Sequence, residues 1–186
     1  MRELLLGGQR SGKSRQAEQR ASDWLARSPH HEAVLIATAL GADDEMRERI
    51  ARHVADRRAR LPRLQTVEAP HALAEAIARH AAPQRLLVVD CLTLWLTNLL
   101  MPADGAPVDP SSLEASVQAL LVALRAAPGP LVLVSNEIGL GLTPMGREAR
   151  RFVDELGRLH QSVAAACEQV TLMVAGLPLS VKHPGE

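Results

Sequence analysis

The chain has 186 residues, 47% of them hydrophobic, and Lys plus Arg match Asp plus Glu at 21 each. That length suits one domain over 1–186 with a full core and is short for two. Zero net charge excludes a global field toward nucleic acid or anionic lipid. Trp24, Trp95 and Phe152 are the sole aromatics (Tyr is absent) and leave few platforms for stacked bases, so small molecules are the expected partners.

Cys91 and Cys167 stand far apart with no C-x-x-C or Cys/His spacing, which indicates neither a zinc site nor a disulfide framework. No apolar run approaches the roughly 18 residues of a membrane span, and Leu4-Leu5-Leu6 is too short for a signal-peptide core. These features predict a soluble, cytoplasmic protein with reduced cysteines.

Leu4-Leu5-Leu6 reads as a short buried strand, followed by a glycine-rich loop. A helix is expected over Arg15 to Arg27, with Ala17, Ala21, Trp24 and Leu25 on one face. Ala33 to Thr38 is a second buried strand. Asp43 to Arg60 reads as a charged helix with Met46, Ile50 and Val54 spaced by four. Leu64 to Glu68 is a short strand, Pro70 to Ala82 an Ala-rich helix, and Leu86 to Asp90 a β run ending in a carboxylate.

Leu92 to Leu100 is apolar all round and predicts a buried helix. Met101 to Asp109, with Pro102, Gly105 and Pro107, is the one real loop. Asp109-Pro110 supplies an N-cap and a first-turn proline for the next helix. Leu131 to Ser135 is a strand, 136–143 is glycine-rich, Met145 to Glu168 is a long helix, and Val170 to Ala175 is the last strand. Alternating β and α with apolar strands predicts an α/β fold: a mostly parallel sheet with helices on both faces. Ligands then bind beyond the carboxyl ends of the strands, where the glycine loop, Thr38, Glu68, Asp90, Asn136 and Glu137 collect.

Gly7 to Ser14 reads Gly-Gly-Gln-Arg-Ser-Gly-Lys-Ser, a complete G-x-x-x-x-G-K-S phosphate loop between a strand and a helix. Its glycines let successive N–H groups turn toward phosphate oxygens, and the following helix aims its positive dipole end at the same point. Lys13 is placed to reach the β- and γ-phosphates and Ser14 to hold Mg²⁺, so the motif predicts a P-loop nucleoside triphosphatase-like fold and triphosphate binding. Asp90 at a strand end is the expected second Mg²⁺ carboxylate, against the plain alternative of a turn or cap. Glu137 is a weaker candidate for that cluster, and a solvated loop residue is the alternative.

An N-K-x-D guanine reader is missing, since Glu137-Ile138-Gly139 follow Asn136, and ATP and GTP stay equally open by motif. The charged helix stacks Asp43-Asp44-Glu45 at its N-terminus, followed by Arg47, Arg49, Arg52, Arg57 and Arg58. A solvated face laced with i,i+4 ion pairs accounts for this pattern. The sharper alternative is that His53, held neutral amid cations, is a nucleophile toward a phosphoryl centre.

These residues together resemble the bifunctional adenosylcobinamide kinase/adenosylcobinamide-phosphate guanylyltransferases of cobalamin biosynthesis. The resemblance runs through GGQRSGKS at 7–14, LIATA at 35–39, D-x-E-M-x-x-R-I-x-x-H from Asp43 to His53, DCLTLWLTNLL at 90–100, SNEIGLGLTP at 135–144 and VAGLPL at 174–179. It implies phosphorylation of the aminopropanol hydroxyl of adenosylcobinamide by a nucleoside triphosphate. GMP transfer from GTP to that phosphate then follows, through a guanylyl-histidine at His53.

By the same resemblance Gly7, Gly8, Gln9, Arg10, Ser11, Gly12, Lys13, Ser14, Ala37, Thr38, Ala39, Val54, Ala55, Asp56, Arg57, Glu68 and Asp90 contact the nucleotide. The cofactor is Mg²⁺ on Ser14 and Asp90; GTP is a substrate, and ATP is open for the kinase step. A sheet with a single antiparallel strand and a homotrimer are implied as well. Two departures stand out: His160 where the family usually has Asn in Gly-Arg-x-Asn-Gln, and Thr143 at a usually aliphatic position. The competing readings are a monofunctional P-loop kinase for another small metabolite and a nucleotide-switched regulator.

Overall fold

The computed structural model describes residues 1–40, 48, 51, 54, 55, 57 and 59–185. In chain order they form β1 (Arg2–Gly7), α1 (Lys13–Ala26), β2 (Glu32–Ala37), β3 (Leu64–Glu68), α2 (Leu73–His80), β4 (Arg85–Asp90) and α3 (Leu92–Leu100). There follow α4 (Pro110–Ala126), β5 (Leu131–Val134), α5 (Arg147–Ala166), β6 (Gln169–Val174) and β7 (Leu177–Lys182). Most of the expected helix at Asp43–Arg60, Met46 and Ile50 included, lies outside the described residues; Val54, Ala55 and Arg57 are helical.

One seven-stranded sheet organises these elements in the order β3-β2-β4-β5-β1-β6-β7. Every pairing is parallel except β6 with β7. The apolar strands alternate their side chains between two cores. Leu5, Leu35, Val88, Val132 and Val134 pack with Ala17, Ala21 and Leu25 of α1. Leu4, Ile36, Val89, Leu131 and Leu133 pack against α2, α3, α4 and α5 through residues such as Ile77, Trp95, Leu120 and Leu159. Burying helices on both faces is why these strands read as continuous apolar runs and not as alternating ones.

Helix α3 has no exposed residue, as its all-round apolar sequence predicted. Asp109 caps α4, accepting from the Ser111 and Ser112 amides, with Pro110 in the first turn. Three expectations are corrected. The helix expected over Pro70–Ala82 spans only Leu73–His80, because Pro83 disfavours helical geometry at Ala82 and the chain is already extended at Ala81.

The last strand expected at Val170–Ala175 is followed by a further one, β7. It folds back through Ala175 (φ 51°) and Gly176 (φ 83°), a two-residue turn suited to a hairpin. The sheet is also not covered at that edge, where Leu177, Leu179 and Val181 of β7 are exposed.

A buried carboxylate joins three elements at the opposite end of the strands. Glu3 is fully buried on β1, receives Arg20 of α1 at 2.8 and 3.1 Å, and accepts from Thr171 Oγ1 of β6 at 2.8 Å. Its partners satisfy a charge that the strand pattern alone leaves unexplained.

Candidate active site

The sheet registers place the site. Glu68, Ala37, Asp90, Val134 and Leu5 lie opposite one another in a single row across β3, β2, β4, β5 and β1. The phosphate loop leaves β1 two residues beyond that row. The chain is held tightly there. A Cβ on Gly7 would meet the Met173 carbonyl at 2.6 Å, and Gly12 has φ 100° with Gly176 against it. Gly176 also donates its amide to the Ser11 carbonyl at 3.0 Å, so the β6–β7 turn braces the loop.

Helix α1 starts at Lys13, two residues before the position expected from its sequence. Among the described residues no side chain caps its N-terminus, and no acid lies in its first turn. Its first amides and its positive dipole end are therefore available to an anion. Gly8, Gln9, Arg10 and Ser14 are exposed, whereas Ser11 and Lys13 are buried. The Lys13 ammonium donates to the Gly7 carbonyl at 2.8 Å and to the Gly8 carbonyl at 2.6 Å, at the base of the loop. Burial lowers its pKa from the ordinary lysine value, against the attraction of Cys91 and Asp90.

Ser14, Glu18, Arg57 and Asp90 line one small cleft between α1 and the sheet. The two residues expected to hold a metal are thus brought together. They offer a hydroxyl and a carboxylate, the hard oxygen donors that suit Mg²⁺ when substrate phosphates and waters complete its shell. No group of three or more His, Cys, Asp and Glu side chains comes together among the described residues. Arg57 Nη1 approaches Asp90 Oδ2 at 3.6 Å, its side chain 9% exposed.

The neighbouring strand end is built differently. Thr38 is fully buried, and its Oγ1 donates to the Cys91 carbonyl at 2.7 Å and accepts from the Cys91 amide at 2.8 Å. Its own amide bonds the Asp90 carbonyl, and its carbonyl accepts from Asn98 Nδ2. Thr38 therefore fixes the Asp90–Cys91 segment, whose joining peptide is cis, with its buried hydroxyl engaged by Cys91. Glu68 ends β3 exposed, and Ala37 and Ala39 are half-buried. Val54 and Ala55 are helical and at least partly accessible, while Asp56 and His53 lie outside the described residues.

Sequence reasoning missed one cluster. His160 of α5 is buried, with Nε2 2.7 Å from Ser135 Oγ and Nδ1 3.6 Å from Glu137 Oε2. Ser135 Oγ lies 3.0 Å from Thr93 Oγ1, which also accepts the Asn136 amide at 2.8 Å. Burial lowers the His160 pKa below 6.5, with Glu137 opposing that shift. The thiols of Cys91 and Cys167 are pushed up by burial to about 11 and about 12, consistent with inert packing residues.

Residues 3–181 match the family described as Cobinamide kinase / cobinamide phosphate guanyltransferase. The chain belongs to this family. Its similarity to curated members of the cobinamide kinase / guanyltransferase family spans almost whole chains. It is 50% identical over 184 residues to the bifunctional adenosylcobalamin biosynthesis protein CobP of Pseudomonas aeruginosa, covering 98% of each. It is 37% identical over 188 residues to CobU, a bifunctional adenosylcobalamin biosynthesis protein of Escherichia coli, covering 96% of this chain and 98% of that one.

Among solved structures it resembles the flagellar accessory protein FlaH of Methanocaldococcus jannaschii, with a TM-score of 0.53 and 12% identity. That match covers 100% of this chain and 80% of the other. At that identity the likeness is one of fold. With the phosphate loop at the end of β1, it agrees with the P-loop α/β architecture expected for a cobinamide kinase / guanyltransferase.

Proposed function

We propose that both transferase activities of the family run through the single nucleotide site at the end of β1, β4 and β5, in one domain over 1–186. The reading rests on one observation: Ser14 and Asp90 line one cleft beside the phosphate loop, Arg57 reaches into it, and Lys13 lies at the base of the loop on the Gly7 and Gly8 carbonyls. In the kinase step the aminopropanol hydroxyl oxygen of adenosylcobinamide attacks the γ-phosphorus of ATP or GTP. The bond from that phosphorus to the β–γ bridging oxygen breaks, and a nucleoside diphosphate leaves. The loop amides, the α1 dipole and Lys13 neutralise the charge that spreads over the phosphate oxygens. Ser14 and Asp90 would hold Mg²⁺, which when bound would add charge neutralisation on the triphosphate.

In the transferase step the His53 imidazole attacks the α-phosphorus of GTP, a P–N bond forms, and pyrophosphate leaves. A phosphate oxygen of adenosylcobinamide phosphate then attacks the same phosphorus, breaking the P–N bond and giving adenosyl-GDP-cobinamide. Arg57, four residues after His53 in the chain, ties this segment to Asp90 and favours the approach of a histidine to the phosphates.

We propose a homotrimer in the cytoplasm. No helix among the described residues is long and apolar enough to cross a membrane. The exposed apolar residues of β7 at an open sheet edge favour assembly.

Incubation with α-labelled GTP and Mg²⁺, followed by peptide mapping, tests the reading. The label is expected on the peptide that contains His53, with pyrophosphate released. A label elsewhere overturns the histidine mechanism and leaves the nucleotide site standing. A monofunctional kinase or a regulator acquires no covalent label.

A further inference from the structure

Strand β5 lies between β1 and β4, so the chain that leaves it emerges between the phosphate loop and Asp90. Ser135, Asn136 and Glu137 are the first residues of that extension. The Glu137 amide donates to the Gly7 carbonyl at 2.9 Å, and the Lys13 ammonium donates to the same oxygen at 2.8 Å. The Glu137 backbone and the Lys13 ammonium are therefore two hydrogen bonds apart through the Gly7 carbonyl. Its carboxylate is neither buried nor free to wander: the side chain is 21% exposed. Oε1 accepts from the Gly139 amide at 2.6 Å, and Oε2 faces His160 Nδ1.

His160 is itself fixed from the other side by Ser135, and Ser135 by Thr93. The chain beyond Glu137 carries Leu140, Leu142 and Met145 at 82%, 98% and 94% exposure, an apolar approach suited to a bulky acceptor and not to the triphosphate. We propose that Glu137 is the catalytic residue that accepts the hydroxyl proton in the kinase step, and that His160 is its positioning residue. The assignment rests on the kinase reading above. As the hydroxyl oxygen bonds to the γ-phosphorus and the diphosphate leaves, the O–H proton passes to the Glu137 carboxylate and then to water. His160, bonded to Ser135, holds the carboxylate in place between itself and the Gly139 amide.

The test is steady-state kinase turnover with adenosylcobinamide and each of ATP and GTP, alongside calorimetric binding of the triphosphate. Glu137→Gln keeps an acceptor for the Gly139 amide but cannot take a proton; kcat is expected to fall about 10²- to 10³-fold with the triphosphate Kd unchanged. Glu137→Ala is expected to be equally slow and to recover part of its kcat in added formate, a rescue that a merely structural role does not give. His160→Leu is expected to lower kcat several-fold at constant nucleotide KM, and His160→Asn, which keeps hydrogen-bonding atoms at both ends, to restore it.

Wild-type kcat in Glu137→Gln overturns the assignment, as does a parallel loss of triphosphate affinity without formate rescue. Equal kcat in His160→Leu and wild type overturns the positioning role. A wild-type protein that consumes no triphosphate with adenosylcobinamide overturns the kinase reading and this assignment with it.

Discussion

Arg57 reaches Asp90 across the cleft at 3.6 Å, joining the helical segment after β2 to the carboxylate that ends β4. The pair is mostly shielded, with 9% and 29% of the two side chains exposed, so solvent screens it less than a surface pair. Arg57→Ala is expected to cost about 1 kcal/mol of stability and to weaken GTP binding about tenfold, since a guanidinium near phosphate oxygens is a charge-assisted partner. Thermal unfolding and calorimetry read the two effects. Wild-type values in both would remove Arg57 from the nucleotide site.

Lys13→Ala is expected to abolish triphosphate binding and both activities without lowering the melting temperature. Burial depresses the lysine pKa in the folded chain, so its charged form is less favourable there than in the unfolded chain. Removing the charge therefore does not weaken the fold, whereas the ligand loses a buried cation worth several kcal/mol. Calorimetry showing GTP bound as tightly as by wild type overturns the role.

The phosphate loop, Asp90 and the cap at Asp109 were legible because each is set by a local pattern of residue types. What escaped depends on distant partners. Leu177-Pro178-Leu179 does not read as a strand, since Pro178 demotes it and its pairing with β6 follows from the Ala175-Gly176 turn. Glu3 breaks an apolar strand, and only the fold supplies Arg20 and Thr171 to it. His160 was visible as an unusual residue type, but Ser135 lies 25 positions away in the chain and meets it through the packing of α5 on the sheet. Sequence likewise placed Thr38 at the correct sheet edge without revealing that Cys91 consumes its hydroxyl.

His53→Asn separates the two reactions. In the proposed mechanism, transfer of the γ-phosphoryl group uses the loop and Lys13 and needs no covalent step, so kinase activity is expected to survive while GMP transfer is lost. In the wild-type protein the GMP adduct is expected to survive alkali and hydrolyse in acid, because protonation of the ring nitrogen makes it a better leaving group. Production of adenosyl-GDP-cobinamide at the wild-type rate by His53→Asn removes the histidine from the mechanism. Loss of both activities assigns the segment a nucleotide-binding role instead.

The buried His160 also predicts how stability changes with pH. Its pKa is lowered in the folded protein, first by burial, and the unfolded chain titrates near 6.5. As pH falls below about 6.5 the unfolded chain takes up a proton that the native state does not accept until the pH is lower. The contribution of His160 is therefore present in full above that value and is lost as pH falls toward the depressed native one. The slope from this one group is at most about 1.4 kcal/mol per pH unit. Melting temperatures measured between about pH 7.5 and pH 5 should fall more steeply for wild type than for His160→Asn, which has no proton to bind. Parallel curves for the two proteins would mean that the imidazole titrates in the native state as it does in the unfolded chain, which its burial against Ser135 argues against.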